Sequence, residues 1–69
     1  MPTPISRDQR TRTVKRELLA ERWKPGETIG SHTIWYGANG TVFSLPDGFR
    51  TISPGVYQKL LEAMDEERD

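Results

Sequence analysis

The sequence holds no cysteine and a single histidine. Without cysteine there is no disulfide to staple a small fold and no thiolate for a zinc site, and one histidine does not make a metal centre alone. No structural metal and no cofactor are expected. A run of about 18 apolar residues, the least a membrane helix needs, is missing. The start, Met1-Pro2-Thr3-Pro4, has neither the charged nor the apolar region of a secretory signal, so a cytoplasmic protein with no membrane attachment is expected. Phosphate loops, dinucleotide fingerprints and metal motifs are absent, and a Ser-His-acid triad has little to stand on with one histidine.

What is present fits one small domain. Its 69 residues are 33% apolar, enough for a single thin core, and both tryptophans argue that the chain folds. The zero net charge hides an asymmetry. Residues 1–24 carry Arg7, Arg10, Arg12, Lys15, Arg16, Arg22 and Lys24 against Asp8, Glu17 and Glu21, a net +4, and residues 25–69 carry the compensating −4. A basic front half suits a polyanion bound at one end of the molecule, although two solvated charge runs would also keep a small domain in solution.

Residues 1–12 are polar and punctuated by proline, which predicts a flexible basic arm ahead of a domain over 13–69. Val14 and Leu18, four apart beside Leu19, predict an amphipathic helix over 13–22, stopped by Lys24-Pro25-Gly26 before a short strand at 27–29. The β-branched and aromatic runs 32–36 and 41–45 flank Asn39-Gly40 and read as a hairpin. Either a two-residue or a four-residue loop pairs even positions of one strand with odd positions of the other. On that count His32, Ile34, Tyr36, Thr41, Phe43 and Leu45 share the core face, and Thr33, Trp35, Val42 and Ser44 the open one. Trp35 and Val42 would then be a partner-docking pair or a stacking platform. Pro46-Asp47-Gly48 closes the hairpin, and 49–52 connect to Ser53-Pro54, an N-cap with proline at the first helical position. Val56, Leu60 and Met64 with Tyr57 and Leu61 make the apolar stripe of that last helix. Acidic residues at its C-terminus oppose the helix dipole, so fraying is expected beyond Met64. The reading is an α+β fold in the order α-β-β-β-α, with a three-stranded antiparallel sheet and two helices on one face, the arrangement of double-stranded-RNA-binding domains.

His32 is the one side chain that titrates near neutrality. It is either a strand-edge residue without function or a single acid–base group, able to draw the proton from an RNA 2′-hydroxyl so that the oxygen attacks its own adjacent phosphate. The segment Ile29-Gly30-Ser31-His32-Thr33-Ile34-Trp35, the Asn39-Gly40 turn, the strand ending at Pro46 and Ile52-Ser53-Pro54-Gly55-Val56-Tyr57 resemble, in order and spacing, the HicA family of type II toxins. The resemblance covers residues 13–64. It implies a small mRNA interferase, a metal-independent endoribonuclease with His32 as the catalytic residue, inhibited by a HicB-like antitoxin that would cover the sheet. It also implies that Gly30 and Ser31 admit the substrate and that Gly55 opens the last helix toward a phosphate. With the hairpin uncharged, phosphate contacts are expected mainly from Arg10, Arg12, Lys15, Arg16, Arg22 and Lys24. The rival readings are a non-catalytic RNA-binding module and a protein-interaction module of the same fold.

Overall fold

In the computed structural model, which describes residues 7–68, the elements are β1 (Gln9–Arg10), α1 (Thr11–Ala20), β2 (Lys24–Ile29), β3 (His32–Tyr36), β4 (Val42–Leu45), β5 (Thr51–Ile52) and α2 (Pro54–Arg68). Strands β2, β3 and β4 form an antiparallel sheet in that order, and both helices cover one of its faces. This is the α+β fold expected. A second ladder, β1 with β5, adds to it: Gln9 pairs with Ile52 and Arg10 with Thr51. Residues 9–12 of the expected arm belong to the fold; its residues 1–6 lie outside the described residues.

Helix α1 buries Val14 and Leu18 and stops two residues earlier than the apolar pattern suggests. Arg22 adopts φ 68°, the Arg22 N–H reaches the Leu19 carbonyl at 3.0 Å, and the Trp23 N–H reaches that of Leu18 at 2.9 Å. These two bonds make a Schellman ending, whose usual apolar contact is supplied by buried Trp23. Strand β2 begins at Lys24 rather than at residue 27. Pro25 is tolerated because β2 is an edge strand, and an irregularity between Pro25 and Thr28 takes up the misfit.

The hairpin corrects the facial assignment. Tyr36 pairs with Val42, so residues 37–41 form a five-residue loop and odd positions face odd positions. A one-residue change of register turns every side chain over. Thr33, Trp35, Phe43 and Leu45 point toward the helices, and His32, Ile34, Tyr36, Val42 and Ser44 face outward. Trp35, expected as an exposed docking anchor, is 3% exposed and belongs to the core with Val14, Leu18, Trp23, Leu45, Ile52, Leu60 and Met64. Val42, at 55% exposure, does lie on the open face.

Helix α2 starts where the Ser53-Pro54 pair places it. The Ser53 hydroxyl accepts from the Val56 N–H at 3.4 Å and the Ser53 carbonyl from the Tyr57 N–H at 2.9 Å. Its far end does not fray at Met64. Glu67, 6% exposed, places its carboxylate in the β3–β4 loop, where it accepts from the Asn39 N–H at 2.7 Å and the Thr41 N–H at 3.4 Å. The Asn39 amide nitrogen donates to the Glu67 carbonyl at 2.8 Å, tying off one of the last helix carbonyls. Gly37 is required here, because a Cβ at that position would occupy the space of the carboxylate.

Candidate nucleic-acid interface

Three separate stretches of chain converge at the end of the sheet where β3 begins. Gly30, with φ 61°, and Ser31 make the tight β2–β3 turn, which delivers His32 to the first position of β3. The His32 side chain is exposed, with Nδ1 at 3.4 Å from the Ser31 hydroxyl, its one side-chain partner among the described residues. Ser31 in turn packs on the β4–β5 turn: the Gly48 N–H donates to the Ser31 carbonyl at 2.9 Å, and a Cβ on Gly48 would overlap Ser31. Beside Gly48, the Asp47 carboxylate receives Lys15 of α1 at 3.3 Å.

Lys15 opens onto a cleft of about 640 Å³ lined by Arg10, Thr11, Arg12, Lys15, Arg50 and Thr51. The cleft is built by backbone pairing. The β1–β5 ladder sets Arg10 opposite Thr51, and the Thr11 N–H donates to the Arg50 carbonyl at 2.9 Å. The Thr11 hydroxyl, buried, donates to the Phe49 carbonyl at 2.6 Å. Helix α1 starts at this point with no side-chain cap and no acidic residue in its first turn, so its positive dipole end adds to the field of the four cations. Among the described residues, Arg10, Arg12 and Arg50 form no ion pair; carboxylates reach the rim at Asp47, on Lys15, and at Asp8, which accepts from the Thr51 hydroxyl at 3.5 Å. Phe49, 61% exposed, sits in the chain between Gly48 of the histidine turn and Arg50 of the cleft.

The residues singled out from the sequence divide. His32, Ser31, Gly30 and Lys15 lie at this end. Arg16 is exposed on α1 and does not line the cleft. Arg22 and Lys24 lie elsewhere: Arg22 ends α1, and Lys24 pairs with Tyr36 at the other end of β3. Gly55 is exposed at the start of α2 with open space around it, and it too is outside the cleft. Sequence reasoning missed Arg50 and Phe49, because only the pairing of Gln9 and Arg10 with residues 51 and 52 brings that connector beside α1.

The open face of the sheet carries Ile29, 65% exposed, beside His32, then Ile34, with Tyr36 and Val42 at the far end of β3. The Tyr36 ring lies over Gly26, and its hydroxyl donates to Glu27 at 3.3 Å; burial, together with the charge and hydrogen bond of Glu27, raises its pKa. Among the described residues no three His, Asp or Glu side chains converge as metal ligands, and no helix is long and apolar enough to cross a membrane. Comparison with protein-family models, curated proteins and solved structures finds no match to this chain.

Proposed function

We propose that the chain is a small endoribonuclease of the HicA type, the toxin of a toxin–antitoxin pair. In this reading it cleaves mRNA without a metal, uses His32 as its acid–base group, and is held inactive by a HicB-like antitoxin. One observation carries the reading: His32 is exposed at the mouth of β3 and connects, through Ser31, Gly48, Asp47 and Lys15, to a cleft whose arginines form no ion pair among the described residues. A general base needs room for its substrate, and Nδ1 turned toward Ser31 leaves Nε2 to meet a 2′-hydroxyl. Nε2 takes that proton, the oxygen attacks the adjacent phosphorus, and the 5′ oxygen departs with a proton returned from the imidazolium. Phe49 offers a face on which a base can stack, and the arginines hold flanking phosphates. The antitoxin would cover the outward face at Ile29, Ile34, Tyr36 and Val42 together with His32.

The test is His32→Ala, with folding checked by circular dichroism. Cleavage of RNA should fall by about 10²–10⁴-fold, the usual contribution of an acid–base group, and EDTA should leave the wild-type rate unchanged. Cleavage retained within about tenfold in the mutant removes His32 from the mechanism. A second reading is favoured by the sparse surroundings of His32, whose ring has no carboxylate or cation as partner among the described residues: a non-catalytic RNA-binding module. There the wild-type chain binds RNA and yields no cleavage products.

A further inference from the structure

Four cations gathered around one concave site can do more than hold the flanking phosphates of an RNA backbone. A single-stranded phosphodiester chain spreads one charge per nucleotide along a track, and such a track is served by cations in a row. Arg10, Arg12, Lys15 and Arg50 instead converge on the same cleft of about 640 Å³. Like charges gathered in this way repel one another, and the described carboxylates relieve little of it. Asp47 answers Lys15 at 3.3 Å, and Asp8 touches the rim at Thr51. The three guanidiniums keep their forked donors, whose planar geometry matches two phosphate oxygens at a time. Concave walls also focus the field that the cations produce.

We infer that this cleft is a binding site for an oligophosphate, a di- or triphosphate group that brings several negative charges to one place. A lone phosphate monoester carries only about −1.5 to −2 at neutral pH, so a chain of two or three phosphoryl groups is the better match to three arginines with no ion pair among the described residues and a paired lysine. The two natural carriers of that chemistry are a free nucleotide and the 5′ end of an unprocessed RNA. Backbone contacts place the site: the β1–β5 ladder and the Thr11 bonds to the Arg50 and Phe49 carbonyls set Arg10 and the start of α1 beside Arg50. The inference does not depend on RNA cleavage or on His32.

Titration of the full chain with inorganic tripolyphosphate, followed by amide NMR and calorimetry, tests it. Saturable one-to-one binding is expected, with shifts centred on Thr11, Arg12 and Thr51. Arg12→Gln and Arg50→Gln should each weaken binding by about tenfold or more, the loss of one charge-assisted contact. Arg16→Gln, on the same helix but outside the cleft, should change it less than about twofold. Binding no tighter than that of sulfate, or equal weakening by Arg16→Gln, overturns the proposal, because either result describes a diffuse basic surface. Shifts in the wild-type chain localise the site even if a variant fails to fold, and shifts centred elsewhere also overturn it. RNA bearing a 5′-triphosphate, the same RNA with a 5′-hydroxyl, and GTP then separate the sources. Preference for the triphosphate end identifies RNA termini, and full competition by GTP identifies free nucleotides. Equal affinity for both RNAs with no competition by tripolyphosphate shows a diester track and refutes the inference. His32→Ala should bind tripolyphosphate like the wild type, so a failure of the cleavage reading and a failure of this one remain distinguishable.

Discussion

Two side chains show what individual residues cost and contribute in a core this thin. Trp35 is fully packed, yet its indole N–H has no hydrogen-bond partner among the described residues, a burial that costs about 1–3 kcal/mol. Trp35→Phe gives up some apolar area but also removes the orphan donor, so its stability should lie within about 1 kcal/mol of the wild type. Trp35→Ala should cost about 3–5 kcal/mol, enough to unfold much of a marginal domain. Urea denaturation separates the two, and a Trp35→Phe variant as damaged as the alanine would show that the donor is satisfied. Because Trp23 is buried as well, native fluorescence should be blue and poorly quenched by acrylamide. Arg22 illustrates the other kind of cost. Its left-handed backbone is strained for a residue with a Cβ, at about 1–2 kcal/mol, and the Schellman position it fills is one that glycine favours. Arg22→Gly should therefore raise the melting midpoint, and a fall would mean that the arginine side chain makes contacts that outweigh the strain.

Between elements, the polar contacts that matter run from the last helix to its neighbours. Glu67 of α2 holds the β3–β4 loop closed. Burial pushes its carboxyl upward, but hydrogen bonds from Asn39, Thr41 and Ala38 outweigh that and set its pKa below the usual 4.5. A carboxylate with a depressed folded-state pKa adds stability above its unfolded value, and that stability is lost as pH falls through the folded one. Thermal melts from pH 7 downward should show a loss beginning near pH 4.5 that is smaller in Glu67→Gln, and identical profiles would remove Glu67 from the acid response. Tyr57 gives the opposite sign. Its burial, its hydrogen bond to Glu17 at 2.8 Å and the Glu17 charge push the phenol to about 12. The link from α2 to α1 is thus complete below pH 10 and disappears toward pH 12, and Tyr57→Phe should flatten the alkaline limb of the stability profile. The pair of Arg68 and Glu21 at 2.7 Å is exposed and should contribute little to either limb.

Over the whole molecule, the concave cation cluster and the buried end of α2 lie at opposite ends of β3. The cation-lined cleft, Lys15 and the His32 turn occupy the end where β3 begins. The acidic end of α2, through Glu67, meets the loop that follows β3. A flat body of 31 × 30 × 16 Å therefore carries its concave cluster of cations at one end, with Arg22 and Lys24 at the other, an arrangement that favours approach of a polyanion to the cleft. Replacing Arg10, Arg12 and Arg50 together should lower RNA affinity and reduce its salt dependence by roughly 0.7 log units for each phosphate no longer neutralised. Replacing Arg22 and Lys24, at the far side, should alter the salt slope much less. Equal effects from the two sets would show that the whole basic surface, and not the cleft, faces the nucleic acid.

The order and type of the principal elements were legible in the residues because their signals are local. Val14 and Leu18 lie one helical turn apart, Ser53-Pro54 caps and starts a helix, and the β-branched runs around Asn39-Gly40 leave a hairpin as the natural solution. The position of His32 at the head of its strand was equally local, since Gly30-Ser31 makes the turn that precedes it. Tertiary structure decided three other things. The β3–β4 loop takes five residues around the carboxylate of Glu67, 28 positions beyond Asn39, and that added residue put Trp35 inside and Ile34 outside. Arg50 joined Arg10 and Arg12 only through a ladder between chain segments about forty residues apart, while Arg22 and Lys24, their neighbours in sequence, were carried to the other end by α1 and β2. Local sequence sets backbone preference one turn at a time, whereas which faces meet and which charges gather depends on contacts between distant segments that no local pattern encodes.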